Sequence, residues 1–69
     1  MLTYKNHARK RMRQRSISEA EVEYCLKNHD ISYTDKKRNP IYIAYTHSNR
    51  RIKVIVDKDN LNEVITVAD

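Results

Sequence analysis

His7, Arg11 and Arg15 recur at four-residue intervals within Asn6-His7-Ala8-Arg9-Lys10-Arg11-Met12-Arg13-Gln14-Arg15. At about 100° per residue, this spacing sets one titratable ring and two guanidinium groups on a single stripe of a helix. Cations four apart repel one another, so the stripe costs helix stability unless an anion sits against it. The chemistry that suits it is phosphate chemistry. An imidazole exchanges a proton near neutral pH, and guanidinium forks hold a phosphate bidentately. Metal-independent RNA cleavage needs that set: a base for the 2′-OH, cations for the pentacoordinate phosphate and an acid for the leaving oxygen. The plainer alternative is a solvated cationic face, with His7 bonded to backbone and the arginines paired to Glu19 or Glu23.

Other residues can extend this set. Thr66, near the C-terminus, can bind a phosphate oxygen, which makes His7, Arg11 and Thr66 the expected catalytic group. Arg15, Lys53, Arg51 and the run Lys36-Lys37-Arg38 are the expected RNA-binding cations, with the run acting as a mobile loop of unspecific attraction. Tyr42 or Tyr45 can stack a base, although Tyr45 falls on the apolar side of its strand and reads as core. Cys25 and His29, four apart, would be half a zinc site needing His7 or His47 to complete it. No CxxC or HxxxH pair anchors such a site, and a buried cysteine beside a helix-end histidine explains both residues, so no metal or other cofactor is expected. The chain has no glycine, which excludes the glycine-dependent nucleotide loops.

Composition sets bounds on the fold that must position these groups. Sixty-nine residues, 39% hydrophobic and 33% charged, without Trp or Phe but with five tyrosines, give one domain over 1–69 with a thin aliphatic core. A homodimer or a bound partner would relieve that thinness. The net charge of +5 favours a polyanionic partner such as RNA. A lone cysteine, no apolar run of membrane-spanning length and no signal-like N-terminus give the expectation of a cytoplasmic protein without a membrane partner.

The elements follow from pattern. A first helix runs to about Arg15 or Ser16, capped by Thr3 or Asn6, with Ala8 and Met12 facing the core. Ser18-Glu19-Ala20-Glu21 is a capping box, and Ile17 with Val22 forms the hydrophobic staple of a second helix closed by Asn28-His29-Asp30. From Ile31 the period becomes two. Strands are expected at Ile31–Thr34, Ile41–Thr46, Arg51–Val56 and Leu61–Val67, with turns at 35–40, 47–49 and 57–60, Asn60 taking positive φ. Met1–Tyr4 is an edge strand or a lead-in. The expected fold is α+β, two N-terminal helices on one face of a roughly four-stranded antiparallel sheet. Met12, Val22, Leu26, Ile43, Val54 and Ile65 should be buried. Tyr42, Thr46, Arg51, Lys53 and Thr66 should line an amphipathic, basic opposite face.

The spacing His7-Ala8-x-x-Arg11-Met12-x-x-Arg15, followed by Ile17 and the capped helix, resembles a family of small bacterial and archaeal domains. That family has long been catalogued as a domain of unknown function and is grouped with the RelE/BrnT-like toxins. Val64-Ile65-Thr66-Val67 resembles its terminal strand. The resemblance implies a RelE-like fold and metal-independent ribonuclease activity, often as the toxin of a toxin–antitoxin pair held by an acidic antitoxin. A non-catalytic module of the same fold that binds RNA or a protein partner is the alternative. Such proteins commonly have glycine where this chain has Ser16, which argues against a left-handed residue between the helices.

Overall fold

The computed structural model describes residues 1–46 and 48–69. Strand β1 (Thr3–Tyr4) leads into helices α1 (Asn6–Arg15) and α2 (Glu19–Lys27), and strands β2 (Ile31–Thr34), β3 (Pro40–Tyr45), β4 (Arg51–Val56) and β5 (Glu63–Ala68) follow. The sheet is five-stranded and mixed, in the order β1-β5-β4-β3-β2. Four strands form the expected antiparallel meander, and β1 adds a fifth that runs parallel to β5 through Thr3↔Glu63 and Tyr4↔Val64. Both helices lie on one face. α1 packs on β5, and α2 packs across β3 and β4. Ala8, Met12, Ile17, Val22 and Cys25 meet Ala44, Ile52, Val54, Val56, Val64 and Val67 in one apolar core.

The second helix forms as its sequence dictates. The Ser18 hydroxyl accepts from the Glu21 amide at 3.1 Å, and Glu21 accepts from the Ser18 amide at 2.9 Å. Ile17 and Val22 are both buried, as the staple requires. The first helix starts differently from expectation. Lys5 is its N-cap and no side chain caps it. The chain passes straight from the ladder, where the Lys5 amide donates to the Val64 carbonyl, into the first turn, and Thr3 is taken up by pairing with β5.

Between the helices, Ser16 is left-handed at φ 54° and ψ 45°, contrary to what a serine suggests. Its amide donates to the Arg13 carbonyl, and the Ile17 amide reaches back to Met12 at 2.9 Å. This pairing, with buried Met12 beneath buried Ile17, is a Schellman closure, and its bonds and apolar contact outweigh the cost of the conformation. A Cβ in that region costs roughly 1 kcal/mol. Ser16→Gly is therefore expected to stabilise the fold by about 1 kcal/mol less the extra entropy of an unfolded glycine, raising Tm by a few degrees in thermal denaturation. Among the described residues, the other left-handed ones are Arg38 and Asn49; Asn60, expected to be one, is not.

Two strand registers also depart from expectation. Tyr42 and Ala44 of β3 point toward the helices, opposite Val54 and Ile52, whereas Ile41, Ile43 and Tyr45 lie on the uncovered face. Ile43 is still buried, but Tyr45, read as core, is 48% exposed. In β5, a register shift beside Ile55 and Val56 lets Val64 and Val67, three apart, share the helix-covered face. Ile65 is consequently only half-buried and lies with Thr66 on the uncovered side. Leu26 is also only half-buried, at the margin of the core. The open face is thus more apolar than expected. It carries Ile31, Tyr33, Ile41, Ile43, Ile55 and Ile65 alongside Arg51, Lys53 and Thr66.

Candidate nucleic-acid interface

Helix α1 runs along β5 from one end to the other. Lys5 lies 4.0 Å from Glu63 at the start of the strand, and Arg15 lies 3.9 Å from Asp69 just past its end. Because Ala8 and Met12 point into the core, the positions after them and before them form two flanks. Arg9 and Arg13 face α2. Arg9 pairs with Glu19 at 2.9 Å and lies over the Tyr4 ring at 4.3 Å, while Arg13 lines a hollow with Ile17 and Ser18. His7, Arg11 and Arg15 form the other flank, turned away from α2 and toward the outer edge of β5. That edge is covered by β1 only at Glu63 and Val64, so Ile65–Ala68 run beside the cationic stripe without a neighbouring strand among the described residues.

The two flanks differ electrically. On the α2 side, Arg9 is neutralised and stacked, whereas Arg13 makes no ion pair among the described residues. On the β5 side, His7 is exposed and Arg11 half-buried, and among the described residues neither makes a hydrogen bond or an ion pair. Glu19 pairs with Arg9 rather than with the stripe. Of the stripe's three residues, only Arg15 has an ion-pair partner among the described residues, Asp69.

Thr66 belongs to a different part of the surface. It is opposite Ile55 in the β4–β5 register and lines a hollow of about 380 Å³ with Lys36, Lys37, Asp35, Asn39, Ile55 and Ile65. The expected group of His7, Arg11 and Thr66 is therefore split. His7 and Arg11 stand on the helix side of the β5 edge, and Thr66 opens on the other face toward the basic loop. Lys53 is half-buried between Ile43 and Ala68, and exposed Arg51 is paired with Tyr45 across β3 and β4. Tyr42 cannot stack a base from the open face, since its ring packs on His29 with centroids 4.7 Å apart on the helix side.

The basic loop is tied down rather than free. Asp35 Oδ1 accepts from the amides of Lys37 and Asn39, both at 2.8 Å, and its Oδ2 accepts from the Asn39 side chain. The Asn39 amide, followed by its side chain and the nearby Lys37, holds the Asp35 carboxyl below its ordinary range. Arg38 turns left-handed between them. The three cations are thus presented at a fixed corner of the open face.

Cys25 and His29 do not present ligands to a common point. The buried Cys25 thiol donates to the Tyr42 carbonyl at 3.3 Å and the Ile52 carbonyl at 3.5 Å, and burial pushes its pKa up to about 11. His29 Nδ1 meets the Leu26 carbonyl. His47, the other proposed ligand, lies outside the described residues.

Arg50 is a further structural residue of the site. Arg50 donates to the carbonyls of Arg15 and Ser16, the latter at 2.9 Å, and to Asp69 at 2.8 Å, and it lies 3.5 Å from Glu21. It joins the end of α1, the start of α2 and the end of β5, and so fixes Arg15 and the far end of the stripe. No local pattern marks it, because its partners are 19 to 35 residues away.

Together these features define a small basic α+β domain with cations on one sheet edge and on the open sheet face. The chain belongs to the family described as Domain of unknown function (DUF4258), whose sequence profile matches residues 4–69. Neither a curated protein nor a solved structure matches it. Among the described residues, no helix is long and apolar enough to cross a membrane.

Proposed function

We propose that this domain binds single-stranded RNA along the β5 edge and open sheet face and cleaves it as a metal-independent endoribonuclease. The observation that carries the reading is the pair His7 and Arg11, without an acidic partner among the described residues, beside a stretch of β5 edge that no strand covers, while Arg9 on the opposite flank is paired with Glu19. On this reading Arg11 holds a phosphate with both nitrogens, and Arg15 adds charge at the helix end. The His7 imidazole takes the 2′-OH proton, the 2′ oxygen attacks phosphorus, the bond to the 5′ oxygen breaks, and that oxygen takes a proton from solvent. Lys53, Arg51 and the loop of Lys36, Lys37 and Arg38 attract the chain on either side, with Thr66 contacting a phosphate oxygen and Tyr45 offering an exposed ring. The helix-stripe spacing supports a RelE/BrnT-like reading of the same fold. On that reading the domain is a cytoplasmic toxin, and an acidic antitoxin would cover the His7–Arg15 edge.

A second reading, a non-catalytic RNA-binding or partner-binding module, is favoured by one observation: among the described residues His7 has no hydrogen bond that would orient its ring. Incubating single-stranded RNA with the protein in EDTA separates the two. Cleavage supports the enzyme; binding without cleavage, alone or with ribosomes, supports the module. Absence of RNA binding at low salt overturns both RNA readings. Binding itself is expected to weaken linearly in log salt, and Arg11→Ala should reduce that slope by about one, as loss of one phosphate contact does.

A further inference from the structure

Strand β2 is an edge without the usual protection. Ile31-Ser32-Tyr33-Thr34 has β3 on one side and no strand on the other among the described residues. It contains no charge and no proline, all four residues are exposed, and Ile31 and Tyr33 are each 46% exposed. Such an edge is a template for pairing with another chain, and proteins normally guard it with lysine, proline, bulges or a covering element. The opposite edge of this same sheet is guarded: β1 closes the start of β5, a register shift irregularises it, and the cationic flank of α1 runs alongside. The molecule guards the β5 edge in part, by β1, the register shift and a helix, and leaves the β2 edge bare.

We propose that β2 pairs antiparallel with β2 of a second copy, joining two five-stranded sheets into one of ten strands. The self-complementarity of the edge selects a second copy as the occupant. A two-fold axis perpendicular to the sheet makes the strands antiparallel and keeps both open faces on one side, so residues of like parity face each other. Setting Ser32 opposite Ser32 of the second copy puts Ile31 opposite Tyr33 of that copy, and by symmetry Tyr33 opposite its Ile31. Aromatic and β-branched residues are favourable cross-strand partners, and this register makes two such pairs. Sliding by two residues one way sets Tyr33 against Tyr33 but moves Ile31 past the strand to Asp35, and the other way sets Ile31 against Ile31 but moves Tyr33 past the strand to His29, so each alternative keeps one apolar pair instead of two. Charge also permits the contact. The chain carries +5 overall, but the strand itself is neutral and its immediate neighbours Asp30 and Asp35 are acidic.

Sedimentation velocity of RNA-free protein tests the pairing across about 1 to 100 μM, the range in which small interfaces associate. The mass is expected to rise from one chain toward two. Tyr33→Lys and Thr34→Lys, each placing a charge on the edge, should stay monomeric with an unchanged circular dichroism spectrum. Directly opposed residues in an antiparallel pair have Cα atoms about 4.5 to 5.5 Å apart, within disulfide range. Mild oxidation should therefore link Ser32→Cys into a dimer much faster than Ser48→Cys on the exposed turn. The native Cys25 is buried and does not compete. Monomer at every concentration overturns the proposal. So does a dimer that survives both lysine variants, or one in which Ser32→Cys links no faster than Ser48→Cys.

Discussion

His7→Gln is expected to lower the rate of RNA cleavage by about 10²- to 10⁴-fold, the range that positioned general acid–base catalysis supplies, while leaving RNA affinity within about twofold. Glutamine preserves a polar side chain of similar reach at the same helix position but cannot carry a proton between 2′-OH and solvent. The substitution should not disturb the fold. His7 is exposed, and it makes no hydrogen bond or ion pair among the described residues, so helix propensity is the main term that changes, by a few tenths of a kcal/mol. Arg11→Ala provides the contrast. A half-buried cation on the same flank serves both binding and the pentacoordinate phosphate, so affinity and cleavage should fall together. Single-turnover cleavage in EDTA, with affinity measured separately on an RNA whose attacking 2′-OH is replaced by hydrogen, distinguishes these outcomes. If His7→Gln cleaves like the wild type, His7 is not the base, and the edge of β5 only binds.

What could be read from sequence was what is decided locally. The capping box at Ser18 and Glu21, the staple of Ile17 on Val22 and the inward stripe of Ala8 and Met12 each depend on residues within a few positions of one another, and each is present. The strands of the meander were legible for the same reason. Strand β3 was not, in its orientation. Pro40–Tyr45 is apolar on both sides, so alternation alone cannot choose a face. The choice falls to packing: the small Ala44 fits beneath α2 near Cys25, and the longer Ile41 and Ile43 go to the open side. Strand β5 misled for another reason. Period-two reading assumes an unbroken ladder, and the shift beside Ile55 and Val56 moves Ile65 across to the face of Thr66. Two-residue β1 carries too little sequence to announce itself, and parallel pairing with β5 is a property of the finished sheet. The cations of the candidate site were visible by type. Their division was not: Arg9 is spent on Glu19 and Tyr4, His7 and Arg11 have no partner among the described residues, and Thr66 is grouped with Lys36 and Lys37 only because the tertiary fold sets them so.

Arg50→Met is expected to destabilise the fold by about 2 kcal/mol and to misplace Arg15. Methionine keeps much of the aliphatic stem and removes the guanidinium, so the loss reports the polar contacts. The larger part comes from the carbonyls of Arg15 and Ser16, which terminate α1 and have no donor from the helix itself; hydrogen bonds from a charged group to such acceptors are worth roughly 1.5 to 3 kcal/mol. The carboxylates add less, because Arg50, Glu21 and Asp69 are each about a quarter exposed and solvent screens them. In a domain of this size about 2 kcal/mol is a large share of the total, and Tm should fall by roughly 8 to 16 °C. Lysine cannot serve two carbonyls and a carboxylate with one planar fork, so Arg50→Lys should recover only part of the loss. The effect is also linked to pH. The hydrogen bond from Arg50, then the charges of Arg50 and Arg15, hold the Asp69 carboxyl below its ordinary value. A carboxyl depressed in the folded state contributes stability that is fully present above its unfolded pKa, near 3.9, and lost as pH falls through the folded value. Wild-type stability should therefore decline below about pH 4 in part through Asp69. In Arg50→Met that acid-side decline should be shallower, because Asp69 then titrates nearer to its unfolded pKa. Urea denaturation of both proteins at pH 7 and pH 3 measures the two slopes, and parallel declines would show that Arg50 does not hold the end of β5 through Asp69.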